Sequence, residues 1–207
     1  MSGVTLTTTA LSAYGRIARV ILAEKGVSCE LDFIEFSDLP DKSYAQKHPF
    51  HKVPVLFHND LHLYETAAIG RYIDEAFEGP ALQPTSPVER AHMEKWISIA
   101  NQYLYPRMIG DLVWQRLVVP LQGGEANEEQ VAGSLDEIKS QVALMEAELS
   151  DGREYITGTF SLADAFLGPI LFFTAMTPEG QEIVTSNDKV AAWLDRVTKR
   201  DSWEATQ

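Results

Sequence analysis

The sequence predicts an α/β plus all-α fold, a small strand-containing domain followed by a wholly helical one. Three observations carry this. Short β-branched and apolar runs occur only before about residue 64. A breaker-rich stretch from Glu78-Gly79-Pro80 to Pro84-Thr85-Ser86-Pro87 then interrupts the chain. Beyond it, apolar residues recur at helical spacing and no strand pattern appears. The expected boundaries are 1–79 for the first domain, 80–87 for the linker and 88–207 for the helical domain.

In chain order, Val4-Thr5-Leu6-Thr7 is a first strand and Leu11 to Gly15 the turn after it. Ile17, Val20, Ile21 and Ala23 continue at helical spacing, with Gly26 placed to end that helix. Leu31, Phe33, Ile34 and Phe36 form a second strand, parallel to the first if the helix is a crossover. Residues 37–47 are polar, with room for a helical turn. Val53-Pro54-Val55-Leu56-Phe57 and Leu61 to Tyr64 make a hairpin around Asn59-Asp60, residues that tolerate positive φ. Glu65-Thr66 opens a helix with Ile69, Tyr72, Ile73 and Ala76 on one face. The order is β-α-β-α-β-β-α.

In the second domain, 88–118 is one long helical stretch carrying Met93, Trp96, Leu104, Met108 and Leu112. Pro106 should bend or break it near Tyr103, because proline lacks the N–H and its ring crowds the preceding turn. A second long helix covers 128–149. Ser161-Leu162-Ala163-Asp164 carries the residues of a reciprocal cap, serine to the helix amide and carboxylate back to the serine. The segment that follows, AFLGPILFFTAM, is apolar nearly all round and should be the buried centre of this half. Residues 190–197 make a last amphipathic helix.

Composition excludes several functions. The formal charge is −13, from seven basic against eleven acidic residues up to Pro80 and ten against nineteen after it. Neither part can neutralise nucleic acid phosphates or dock on an anionic membrane. Cys29 is the only cysteine, which removes an internal disulfide and favours a reducing, cytoplasmic setting. It reads as a small hydrophobe rather than a nucleophile. No signal peptide opens the sequence, and no apolar run is long enough to span a bilayer. His48, His51, His58 and His62 lie near one another in sequence, but nothing forces tetrahedral convergence, and no metal is expected.

Two features of 48–70 point to a binding site. Pro54 stands at the mouth of a strand, where a missing N–H is unfavourable. A cis Val53-Pro54 bond would turn the polar groups of Val53 toward a ligand. The helix start at Thr66 combines a hydroxyl with free amides, a place for a carboxylate. An extended peptide fits both; a hairpin simply packed on a helix remains the alternative.

These pieces together resemble a cytosolic glutathione transferase over essentially the whole sequence. The likeness rests on Leu11-Ser12-Ala13-Tyr14-Gly15-Arg16-Ile17-Ala18-Arg19, on His48-Pro49-Phe50-His51-Lys52-Val53-Pro54-Val55-Leu56, on Tyr64-Glu65-Thr66-Ala67-Ala68-Ile69, and on Phe160-Ser161-Leu162-Ala163-Asp164. It implies a thioredoxin-like first domain, a homodimer, no tightly bound cofactor, and glutathione as cosubstrate against a small electrophile. By the same resemblance, Val53 and Pro54 hold the cysteinyl backbone, Glu65 and Thr66 the γ-glutamyl end, and Lys52 the glycyl carboxylate. Ser12 falls where serine- and cysteine-type classes carry the catalytic residue; a hydroxyl donor at a helix start favours a thiolate through both bond and dipole. Ser12 as a plain helix cap is the alternative, and Tyr14 and Thr9 are rival hydroxyls. Tyr14, His51, Arg107, Met108, Asp111 and Trp114 are further candidate substrate contacts. Arg107 and Asp111, four residues apart, also fit a surface ion pair.

This sequence departs from the family pattern in four places. Ala13 stands where proline is usual, and Gly15 where serine or cysteine is frequent. His48 and His51 replace the asparagine and glycine of an NPFG stretch. The subclass stays unassigned, and a glutathione-binding or dimerising module without turnover is the second expectation. Phe50 matches either an aromatic inserted into a partner subunit or a core residue.

Overall fold

The computed structural model describes residues 3–206. It divides into two compact units, the described parts of Met1–Leu82 with Asp201–Gln207, and Gln83–Arg200.

The first unit is a four-stranded sheet, β1 (Val4–Thr8), β2 (Glu30–Phe33), β3 (Val55–His58) and β4 (Leu61–Tyr64), in the order β2-β1-β3-β4. β1 and β2 are parallel, joined through helix α1 (Ala13–Glu24); β3 runs antiparallel to β1 and to β4. Parallel neighbours need such a crossover, whereas β3 and β4 need only the tight turn at Asn59-Asp60, where Asn59 takes φ 53°. α2 (Thr66–Ala76) packs against α1. Leu6, Ile17, Ile21, Leu56, Ile69 and Ile73 are fully buried between sheet and helices, each worth about 1.5–3 kcal/mol of hydrophobic burial. The helix expected between β2 and β3 is two short 3-10 turns, Phe36–Asp38 and Lys42–Gln46.

A buried ion pair closes this unit. Lys25 Nζ lies 3.1 Å from Asp74 Oδ1 and donates to the Pro80 carbonyl, while Asp74 accepts the Leu82 amide at 2.8 Å. The chain end also belongs here. Helix α9 (Asp201–Glu204) packs on α1, Ser202 Oγ donates to Glu24 at 2.5 Å, and the Arg16 guanidinium lies 4.1 Å from the ring centre of Trp203.

The second unit is helical. α3 (Pro87–Ile99) runs without interruption into residues Ala100–Val118 and a last α turn, α4 (Val119–Leu121). The expected break near Tyr103 does not occur. The stretch Ala100–Val118 winds more widely, with i→i+5 hydrogen bonding, far longer than the single-turn bulges this geometry usually forms. Pro106 lies inside this stretch, where its missing N–H removes one hydrogen bond. Ala100, Leu104, Met108, Ile109, Leu112, Val113 and Val118 are the buried residues of this stretch.

α5 (Glu128–Glu148) lies along this stretch, and α6 (Leu162–Ala175) contacts both it and α3. α6 is buried nearly all round, as its composition predicts. Asp164 fixes its start: the carboxylate accepts Ser161 N–H and Oγ–H, Ile156 N–H and Trp193 Nε1–H at 2.9–3.0 Å. Burial pushes the Asp164 pKa up, and these hydrogen bonds oppose the shift. α7 (Pro178–Thr185) and α8 (Asp188–Thr198) complete the unit. Among the described residues no helix is long and apolar enough to cross a membrane.

Candidate functional site

Strand register gathers the candidate residues at one end of the sheet. Thr7 and Tyr64 both pair with Val55, and Thr8 pairs with Phe33. The end of β1, the start of β3 and the end of β4 therefore lie side by side. The loop to Ser12, the Val53-Pro54 step and the Glu65-Thr66 step all leave the sheet there.

Ser12 is the N-cap of α1. Its backbone is extended, at φ −76° and ψ 116°, and its Oγ accepts the Gly15 amide at 2.9 Å. Capping uses a lone pair and leaves the hydroxyl proton free. The two readings of Ser12 are therefore compatible: the bond that caps the helix orients the O–H as a donor at a positive helix end. Gly15 explains itself in the same turn. A Cβ there would lie 1.8 Å from Thr8 Oγ1, so the close approach of α1 to β1 excludes the side chains that the resemblance made usual. The Thr9 hydroxyl is buried with no hydrogen-bond partner among the described residues, and Tyr14 is half-buried on the first turn.

The Val53-Pro54 peptide is cis. Lys52 is exposed, and no salt bridge engages its ammonium among the described residues. Tyr44 Oη donates to the Lys52 carbonyl at 3.0 Å. Glu65 occupies the N-cap position of α2 at φ 72° and ψ 109° without a side-chain capping bond, and it is exposed. A non-glycine residue held there costs about 1–3 kcal/mol, which the surrounding structure must supply. Thr66 follows as the first residue of α2, buried at that helix start. A cation, a strained carboxylate and two helix starts bearing hydroxyls thus share one end of the sheet.

The histidines do separate structural work. His48 Nδ1 accepts the Phe50 amide at 3.2 Å, and its ring lies 4.8 Å from that of Tyr64. His51 sits at φ 54° and donates from Nδ1 to the Leu39 carbonyl at 2.6 Å. His62 Nε2 donates to the Lys47 carbonyl, and His58 Nδ1 pairs with Tyr72 Oη. Among the described residues no group of three or more His, Cys, Asp or Glu side chains could hold a metal ion. Phe50 is 67 % exposed, which removes the core reading for it. Burial raises the half-buried Cys29 thiol to about 11, so it stays protonated.

In the second unit Arg107 pairs with Asp111 at 2.8 Å and with Glu137, Met108 is fully buried, and Trp114 is half-buried. Sequence reasoning gave no role to Arg16, which is buried one turn after Ser12; burial foremost, with the nearby Arg19 charge, lowers its pKa to about 10. An arginine inside the apolar face Ala13 to Leu22 was the available signal, as was the isolated Trp203.

Comparison with known proteins converges on one family. The family model for the glutathione S-transferase N-terminal domain matches residues 4–75, and that for the C-terminal domain matches 128–196. Glutathione S-transferase F10 of Arabidopsis thaliana is 30 % identical over 199 residues, covering 94 % of this chain and 92 % of the relative. The apo structure of glutathione S-transferase III superposes with a TM-score of 0.89 at 28 % identity, over 99 % of this chain and 95 % of that one. Maize glutathione S-transferase I, solved with an atrazine glutathione conjugate, gives 0.86 at 25 % identity, over 99 % and 96 %. With its sheet unit and its helical unit both matched, the chain belongs to the glutathione S-transferase family.

Proposed function

We propose that this protein binds glutathione at the sheet end of its first unit and transfers it, as the thiolate, to a small electrophile. The observation that carries the reading is the Ser12 hydroxyl, which accepts from Gly15 and keeps its own proton to donate. A thiol of pKa near 8–9 is mostly protonated at neutral pH. A donated O–H and the α1 dipole both favour the anion. The S–H proton leaves to solvent, the sulfur lone pair forms the new C–S bond, and the electrophile's leaving group or π electrons take up the charge.

The rest of the site matches the tripeptide group by group. The Val53 main chain pairs with the cysteinyl backbone beside Pro54, and Glu65 takes the α-amino group. The Thr66 hydroxyl and the α2 amides take the γ-glutamyl carboxylate. The Lys52 ammonium takes the glycyl carboxylate. In the sheet unit Tyr14 is the proposed electrophile contact. Within the helical unit Arg107 and Asp111 pair with each other, and Met108 is fully buried.

Calorimetric titration with reduced glutathione in two buffers of different ionisation enthalpy tests this. Saturable binding with proton release near neutrality is expected. Binding without proton release would favour a carrier of the same fold, the reading that the departures Ala13, His48 and His51 motivate. We further infer a cytoplasmic homodimer, from the exposed Phe50 ring and the family. Sedimentation equilibrium should give twice the chain mass, and a monomer at micromolar concentration would refute it.

A further inference from the structure

We propose that His51 is a positioning residue for recognition of the glycyl carboxylate of glutathione, acting through Lys52; the inference rests on the glutathione reading above. Its backbone is left-handed at φ 54°, a conformation that glycine adopts freely and a histidine does not. Something must hold it there. His51 N–H donates to the His48 carbonyl at 3.0 Å, closing a turn over 48–51, and the ring donates to the Leu39 carbonyl at 2.6 Å. The next residue is anchored from the same segment: Tyr44 Oη donates to the Lys52 carbonyl, and the Tyr44 ring lies 6.5 Å from that of His51.

Residues 39–44 therefore grip two consecutive residues, one through a side chain and one through its carbonyl. The Lys52 ammonium and the Val53 main chain emerge directly beyond that grip. A glycine at position 51 would satisfy the backbone and lose the bond to Leu39. The histidine accepts an unfavourable conformation and gains a fixed presentation of Lys52. With Nδ1–H committed to Leu39, the imidazole acts as a strut.

The test compares glutathione with its glycyl monoethyl ester, in which the carboxylate is masked, using chlorodinitrobenzene as electrophile. His51→Gly should fold with an unchanged cooperative transition, since glycine suits the backbone. Its KM for glutathione should rise about 10-fold at near-constant kcat, the signature of lost uniform binding, and its KM for the ester should move less than about 2-fold. Lys52→Ala should show the same split, and the double variant should lose less than the two changes combined. His51→Asn should recover most of the affinity, because asparagine tolerates the left-handed backbone and can donate an amide N–H to Leu39. Equal losses on both ligands would make His51 a general loop brace and overturn the proposal, as would an unchanged KM in His51→Gly. Absence of saturable glutathione binding by the unaltered protein would overturn the underlying reading as well, and is seen before any variant is made.

Discussion

The ion-pair clusters of the helical unit and the open end of the sheet use polar groups differently. In those clusters they are bound to one another. Arg116 joins Glu128 and Glu179, Arg153 joins Glu148 and Asp151, and Asp164 gathers four donors at the start of α6. At the end of the sheet, the Ser12 proton and the Lys52 ammonium stay available, and His51 and Glu65 sit in left-handed conformations that two side chains would ordinarily avoid. Groups satisfied internally stabilise; groups held in place and left unsatisfied are ready for a ligand.

The largest effect should come from the scaffold side. Asp164→Ala would orphan the Trp193 indole N–H and the Ile156 and Ser161 amides in a buried setting. We expect a loss of about 3–5 kcal/mol of stability, read as a lower denaturant midpoint at unchanged slope. Asp164→Asn, which keeps an acceptor, should lose less than half of that. A wild-type midpoint in Asp164→Ala would break the comparison outright.

Ser12→Ala probes the other side and should separate the two quantities. The helix loses its cap, about 1 kcal/mol of stability. Conjugation should fall about 100-fold, or about 2.7 kcal/mol of barrier, with glutathione still bound. Full retained activity would move the donor role to Tyr14 or Thr9.

Patterning made the scaffold legible. Short β-branched runs and the apolar α6 segment are local properties; β1, the start of β3 and α6 are buried as such patterns imply, whereas β2 is largely exposed. The site motifs were legible as residue types around Ser12, Val53-Pro54 and Glu65-Thr66. Their conformations were not. Nothing in the sequence announces a left-handed backbone at a histidine or a glutamate, because tertiary contacts such as the Leu39 carbonyl impose it. The wide winding of Ala100–Val118 is hidden for a related reason: a proline inside a helical pattern signals a bend or a break, and no local pattern signals a change of winding. The return of α9 to the sheet unit joins residues some 180 positions apart, beyond any local pattern.

The smallest effect concerns the other unusual histidine. An asparagine at position 48, the more typical residue in this family, would accept the amide two residues on in an Asx turn. His48 Nδ1 does the same for Phe50, so the histidine is a titratable substitute for that acceptor. Burial, foremost, holds its pKa below the usual 6.5, with Lys52, His51 and His62 adding to the effect and Glu65 opposing it. The folded state therefore binds this proton less readily than the unfolded chain. Its contribution to stability is complete above pH 6.5 and declines as pH falls through that value toward the folded-state pKa. The slope can reach at most one proton, about 1.4 kcal/mol per pH unit, and only inside that window. His48→Asn should match the wild-type denaturant midpoint at neutral pH and show a shallower decline on acidification below pH 6.5. Identical acid limbs in the two proteins would mean that the 48–51 turn does not depend on the Nδ1 lone pair.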